Sequence, residues 1–155
     1  SNLFPLLEGA RATPDQSLPV QLEAPLLIDP LSDQVWLISY EADEDACIAV
    51  PAAGIEDSDL AQATHSIDIL GLNRLAQLNR NRARTWRKCL ELIAQYKSAQ
   101  STGTPIVLAR VVQAQAISQL RSMTKYEEEF SSIAQACIRK HAPEAVVAQV
   151  YGETR

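Results

Sequence analysis

Arg74, Arg80, Arg82, Arg84, Arg87 and Lys88 fall within one short segment, residues 74–88, that holds no acid. A guanidinium fork matches phosphate oxygens two at a time, so the chemistry this cluster offers is recognition of an anion, above all a nucleic-acid backbone. On an α-helix, Arg80, Arg84, Arg87 and Lys88 stand at i, i+4, i+7 and i+8 and share a face. Arg74 and Arg82 point elsewhere. Arg82 aligns with Leu75, Leu78 and Cys89, where it would be covered and would serve as an internal ion-pair donor to the acidic N-terminal half. The candidate nucleic-acid-binding residues are Arg80, Arg84, Arg87 and Lys88 on that face, together with Arg74. Two blander readings stand beside this one: a solvated helix side neutralised by acids of the same chain, and a surface for a protein partner.

Charge is divided along the chain in a way that bears on that choice. Residues 1–68 carry thirteen acids and one base, Arg11, whereas residues 69–155 carry thirteen bases and six acids, giving a net charge of -5 overall. Such asymmetry implies either an internal match between the halves or a basic face for an anionic partner. Other chemistry finds little to stand on. The glycines Gly9, Gly54, Gly71, Gly103 and Gly152 are isolated, so there is no phosphate-cradling loop. His65 and His141 lie far apart and outside any ligand motif, and read as surface or cap residues. The acidic turn "EADED" lacks the alternating ligands and the glycine of a calcium loop. Cys47, Cys89 and Cys137 show no CxxC spacing, which favours buried thiols in a reducing cytoplasm over a metal site. No catalytic residue, cofactor site or metal site is assigned in this chain, and no apolar run approaches the length of a membrane helix.

The elements that would position the basic face follow from periodicity. With 155 residues, 46% of them apolar and 21% charged, the chain suits a single globular domain. The expected fold is mainly α, with about four helices, one small β-hairpin and an extended proline-rich N-terminal arm. The arm covers residues 1–34, which hold five of the eight prolines. Its "FPLL" and "APLLID" segments are apolar anchors. The hairpin covers 35–51, with strands at 35–40 and 46–50 around "EADED", ending at Pro51. The helical bundle covers 57–151. Its first helix places Leu60, Ala63, Ile67 and Leu70 on one face and stops at Gly71. Its second is capped by Asn73 and runs to about Ser98, burying Leu75, Leu78, Trp86, Cys89, Leu90, Ile93 and Tyr96. The third starts from Thr104 with Pro105 at its first position and buries Val107, Val111, Ala114 and Ile117. The fourth starts from a capping box, Thr124 and Glu127, and buries Phe130, Ile133, Ala134, Cys137 and Ile138 before closing at His141 and Pro143. "EAVVAQVYG" adds a last short helical turn.

Read in order, "FPLLEGARAT", "EAPLLIDP", the hairpin, "ATHSIDILGLNRLAQLNRNR" and "EEEFSSIAQACIRK" resemble the C-terminal region of a family of bacterial HNH endonucleases. These nucleases are often paired with an ATPase, and include the nuclease subunit of Septu-type phage-defence systems. The most specific pieces are Leu27-Ile28-Asp29-Pro30 and Ile69-Leu70-Gly71-Leu72-Asn73-Arg74. The resemblance implies an accessory helical region that positions DNA or docks the ATPase. It also implies that the divalent metal belongs to a Cys/His/Asn-rich HNH module ahead of Phe4-Pro5, whose His and Asn have no counterparts here. The alternative expectation is a freestanding, non-enzymatic module that binds a protein through its helices. A helix-turn-helix reader fits less well, because the second helix is about twice the usual length and carries a buried stripe.

Overall fold

The computed structural model describes residues 27–29, 33–100 and 105–152. Most of the expected N-terminal arm therefore lies outside the described residues. The remainder is mainly helical with one two-stranded hairpin, as the sequence periods require. A 3-10 turn, Asp33–Leu37, leads into strands β1 (Ile38–Ala42) and β2 (Cys47–Pro51). Five helices follow: α1 (Asp57–Ile69), α2 (Ala76–Ser98), α3 (Ile106–Met123), α4 (Ser131–His141) and α5 (Glu144–Tyr151). The chain forms two compact units. One consists of Ser1–Glu41 with Ile48–Leu75, the other of Ala42–Cys47 with Ala76–Arg155.

The hairpin, whose reversal Ala42–Cys47 is counted with the second unit, sits later than its composition suggests, and its register explains why. Asp43 N donates to Ala46 O, and Ala52 N donates to Leu37 O, so Ala42 faces Cys47 and Ile38 faces Pro51. The Asp43 carboxylate also accepts from Asp45 N and Ala46 N at 2.9 and 2.7 Å, an Asx turn that locks the reversal. Those N–H groups hold the Asp43 carboxyl below its ordinary range. With β2 ended by Pro51, only residues 38–42 find strand partners, and "DQVWL" coils instead, burying Leu37 while leaving Val35 and Trp36 exposed.

A small apolar cluster of Ile28, Leu37 and Ala63, flanked by Ile38 and Ile55, forms the core of the first unit. Part of the arm is pinned to it by polar bonds from α1. Ser66 Oγ accepts from Ile28 N at 2.9 Å, and Gln62 Nε2 donates to Leu27 O. The buried face of α1 is thus Gln62, Ala63, Ser66 and Ile67, while Leu60 and Leu70, expected inside, are exposed. The face that anchors the backbone of residues 27–28 wins over the more apolar one. Gly71 does end α1. It takes the left-handed conformation, φ 60°, while Leu72 N bonds Ile67 O and Gly71 N bonds Asp68 O. That pair of bonds is a Schellman ending, which glycine adopts without a Cβ penalty. Asn73 is not the residue that precedes α2, which begins three residues later. Its side-chain amide instead donates to Ala49 O and accepts from Ala49 N, at 2.9 and 2.8 Å.

The second unit is organised around α2, which packs against α3 and α4, with α5 against α3. The stripe expected on α4 is buried through Ile133, Ala134, Cys137 and Ile138. Its start differs. Thr124 ends α3, its Oγ1 donating to Arg121 O, and α4 begins only at Ser131 after Phe130 adopts φ 63°. The charged run Glu127, Glu128 and Glu129 is exposed in the intervening turn, so the capping-box spacing is not used. On α3 only Ile117 of the expected face is buried. Ala116, Ile117 and Leu120 are buried, whereas Val107, Val111 and Ala114 are exposed. The helix is apolar on more than one side in its first half, and Pro105 is its N-cap residue, not its first helical position. Thr104 lies outside the described residues.

A candidate nucleic-acid interface on the second helix

Helix α2 runs for 23 residues without glycine or proline, so nothing in its sequence interrupts it. Its buried positions are Asn79, Arg82, Ala83, Trp86, Cys89, Leu92, Ile93 and Tyr96. Leu75 precedes the helix and is exposed, and Leu78 and Leu90 are half-buried. At 100° per residue the buried set centres on one side and Arg80, Arg84 and Arg87 centre on the opposite side, with Lys88 beside them. All four bases are exposed. The apolar stripe therefore orients the charges: burying Trp86, Cys89 and Ile93 drives the basic face outward.

The individual bases differ in what they touch. Lys88 Nζ stands 4.0 Å from a carboxylate oxygen of Glu91, a surface pair with both side chains more than half exposed. Such a pair holds a lysine only weakly. Arg84 Nη1 donates to Asn81 Oδ1 at 3.4 Å, and Gln77 Nε2 donates to the same oxygen at 3.0 Å. Arg74 belongs to the first unit and has another task. Its Nη2 donates to Asp68 O at 3.0 Å, placing a cation on the negative end of α1. A Cβ on Gly71 would stand 2.9 Å from Arg74 Cδ. Arg82 is buried, as its alignment implies, and its Nη1 donates to Asn79 Oδ1 at 3.2 Å. Sequence reasoning missed the amides Gln77, Asn79 and Asn81. Their i+3 and i+4 spacing to one another and to the arginines was the signal available.

Other cations of the second unit are tied to backbone or rings. Lys97 Nζ donates to His141 O at the end of α4, Arg121 donates to Gln149 O, and Arg139 lies 6.0 Å over the Tyr151 ring. His141 meets Trp86 edge-on with centroids 5.5 Å apart. Burial, together with Lys140 and Lys97, lowers its pKa. The three cysteines are free and buried. Burial pushes the Cys47 thiol up to about 11, against the pull of Arg82. Cys137, whose Sγ donates to Trp86 O, is raised by its hydrogen bond with Cys89 and by burial.

Among the described residues no three His, Cys, Asp or Glu side chains gather in a way that could hold a metal ion. Nor is any described helix long and apolar enough to cross a membrane. What the arrangement offers chemically is a rigid rod with one apolar side buried and a row of exposed guanidinium and ammonium groups on the other. No protein family, curated protein or solved structure matches the chain in comparisons with known proteins.

Proposed function

We propose that this chain is a nucleic-acid-binding helical module that presents the back of α2 to a phosphate backbone. In that role it serves as the accessory C-terminal region of an HNH-type DNA endonuclease of a phage-defence or restriction system. It positions DNA while a separate metal-bearing module cuts, and a partner ATPase is the second macromolecule this resemblance brings in. The free cysteines are consistent with a cytoplasmic setting.

The observation that carries the proposal is the opposition of the two sides of α2. The same helix that buries Trp86, Cys89 and Ile93 exposes Arg80, Arg84, Arg87 and Lys88. Exposed bases that do not hold the fold together are free to exchange solvent and counterions for phosphates, and the released counterions favour binding. Replacing all four by Glu is expected to abolish binding to a DNA duplex and to leave the melting temperature nearly unchanged. Fluorescence anisotropy at a series of salt concentrations measures the first, and a thermal melt the second. Absence of duplex affinity in the unmodified chain at low salt, or a large loss of stability in the variant, refutes the proposal.

A protein-interaction module is the second reading, favoured by one specific observation. Ile106, Val107, Leu108 and Val111 on the first half of α3 are 53–77% exposed. Contiguous apolar exposure of that kind marks contact surfaces.

A further inference from the structure

We infer that Asn81 is a positioning residue for the phosphate-binding face, holding the Arg84 guanidinium in a docking geometry before any ligand arrives; this rests on the nucleic-acid reading above. Asn81 is half-buried one turn from Arg84 and Gln77, and its Oδ1 accepts from Arg84 Nη1 at 3.4 Å and from Gln77 Nε2 at 3.0 Å. Its own backbone carbonyl accepts from Thr85 Oγ1. Both partners of Oδ1 can only donate through those atoms, which fixes the orientation of the amide. Gln77 thereby braces Asn81, and Asn81 braces Arg84.

The consequence lies in the donors that remain. An arginine has five N–H donors in a planar fork. Asn81 takes one, on Nη1, and leaves the Nε–Nη2 edge of Arg84 free for two parallel bonds to a phosphate. A long, exposed side chain otherwise loses rotamer freedom on binding, and that loss weakens affinity. Arg80 and Arg87, on the same face, have no such brace among the described residues. The chain Gln77–Asn81–Arg84 makes Arg84 the pre-formed contact and the others adaptable ones.

The test uses the whole 155-residue chain and a fluorescently labelled DNA duplex, with affinity read across salt concentrations. Asn81→Ala is expected to weaken binding about two- to tenfold, the range for freeing one rotamer-rich side chain. The slope of affinity against salt is expected to stay at the value of the unmodified protein, because no phosphate contact is removed. Arg84→Ala is expected to lower that slope by about 1. The double variant is expected to bind like Arg84→Ala alone. Alanine is the better helix former, so the melting temperature of Asn81→Ala is not expected to fall. Three results overturn the inference. Asn81→Ala binds as tightly as the unmodified protein although Arg84→Ala does not. The two losses add in the double variant, meaning that Asn81 acts without Arg84. Or Asn81→Ala loses affinity only in proportion to lost folded protein. If the unmodified chain fails to bind at low salt, the nucleic-acid reading itself falls and the inference with it.

Discussion

The two compact units are held by different kinds of contact. In the first, side chains reach backbone: Asn73 to Ala49, Ser66 to Ile28, Gln62 to Leu27 and Arg74 to Asp68. In the second, apolar helix faces meet, with Leu92, Leu120, Ile133, Ile138 and Val146 all at 0–1% exposure. Apolar packing obeys a period and can be read from spacing. A hydrogen bond between one amide side chain and a strand 24 residues away leaves no such trace. The lesson is one of emphasis: a few polar atoms fix the first unit's small apolar cluster, whereas the second unit, although Lys97 and Arg121 also reach backbone, rests mostly on summed area.

The largest effect that sharpens this contrast is expected at Leu120, fully buried on α3. Leu120→Ala should cost about 2–5 kcal/mol in chemical denaturation, through lost transfer energy and the cavity left behind. Val111→Ser on the exposed side of the same helix should stay within about 0.5 kcal/mol. Equal losses at the two positions would break the assignment of α3's faces.

The next effect is a pH dependence from the second unit's buried thiols. Cys47 is raised from 9.0 to about 11 by burial. An unfolded chain ionises this thiol first as pH rises, so its stabilising contribution is whole below about pH 9 and is lost as pH climbs through 11. The loss is about 3 kcal/mol on the scale of 1.36 kcal/mol per pKa unit. Cys137 acts with the same sign. Denaturation midpoints measured from pH 8 to pH 11 should fall less in Cys47→Ala than in the unmodified protein. Parallel curves would show that the thiol is not desolvated.

Smaller again, and in the first unit, Asn73→Ala should cost about 1–3 kcal/mol, because the N–H and C=O of Ala49 lose their partner. Asn73→Asp keeps an acceptor for Ala49 N but puts a second acceptor against Ala49 O, so it should not restore stability. A neutral Asn73→Ala would mean that the first unit, too, rests mainly on apolar area.

Legibility in the sequence turned on whether one face alone satisfies the helical period. The α4 stripe from Ile133 to Ile138 could be read because its apolar residues occupy one face only. The C-terminal part of the α2 stripe, Trp86 to Tyr96, could be read for the same reason. The glycine stop at Gly71 followed from the one conformation glycine reaches easily. On α3, Val107 and Val111 alternate with Val112, Ala116 and Ile117, so two faces satisfy the period and spacing alone does not choose between them. On α1, Leu60 and Leu70 gave the more apolar face, but Gln62 and Ser66 are inside because the backbone of residues 27–28 requires their bonds. Thr124 and Glu127 matched a capping box, yet the chain turns through six further residues before α4 begins. For the candidate site, the outward direction of Arg80, Arg84, Arg87 and Lys88 followed from the stripe behind them. The brace of Arg84 by Asn81, and the diversion of Arg74 to the end of α1, depend on side-chain torsions that residue types do not encode.

A two-stranded hairpin has an open edge on each side, and an open edge is a template for a strand from another molecule. In the register of this hairpin Ala49 lies opposite Tyr40 in a pair that exchanges no ladder bonds, so its N–H and C=O point away from β1. Those are the two groups that Asn73 occupies. One amide side chain thus does what a third strand would do, and it closes the middle of β2 against unwanted pairing. Losing Asn73 would therefore expose the hairpin to self-association between chains as well as loosen the fold within one.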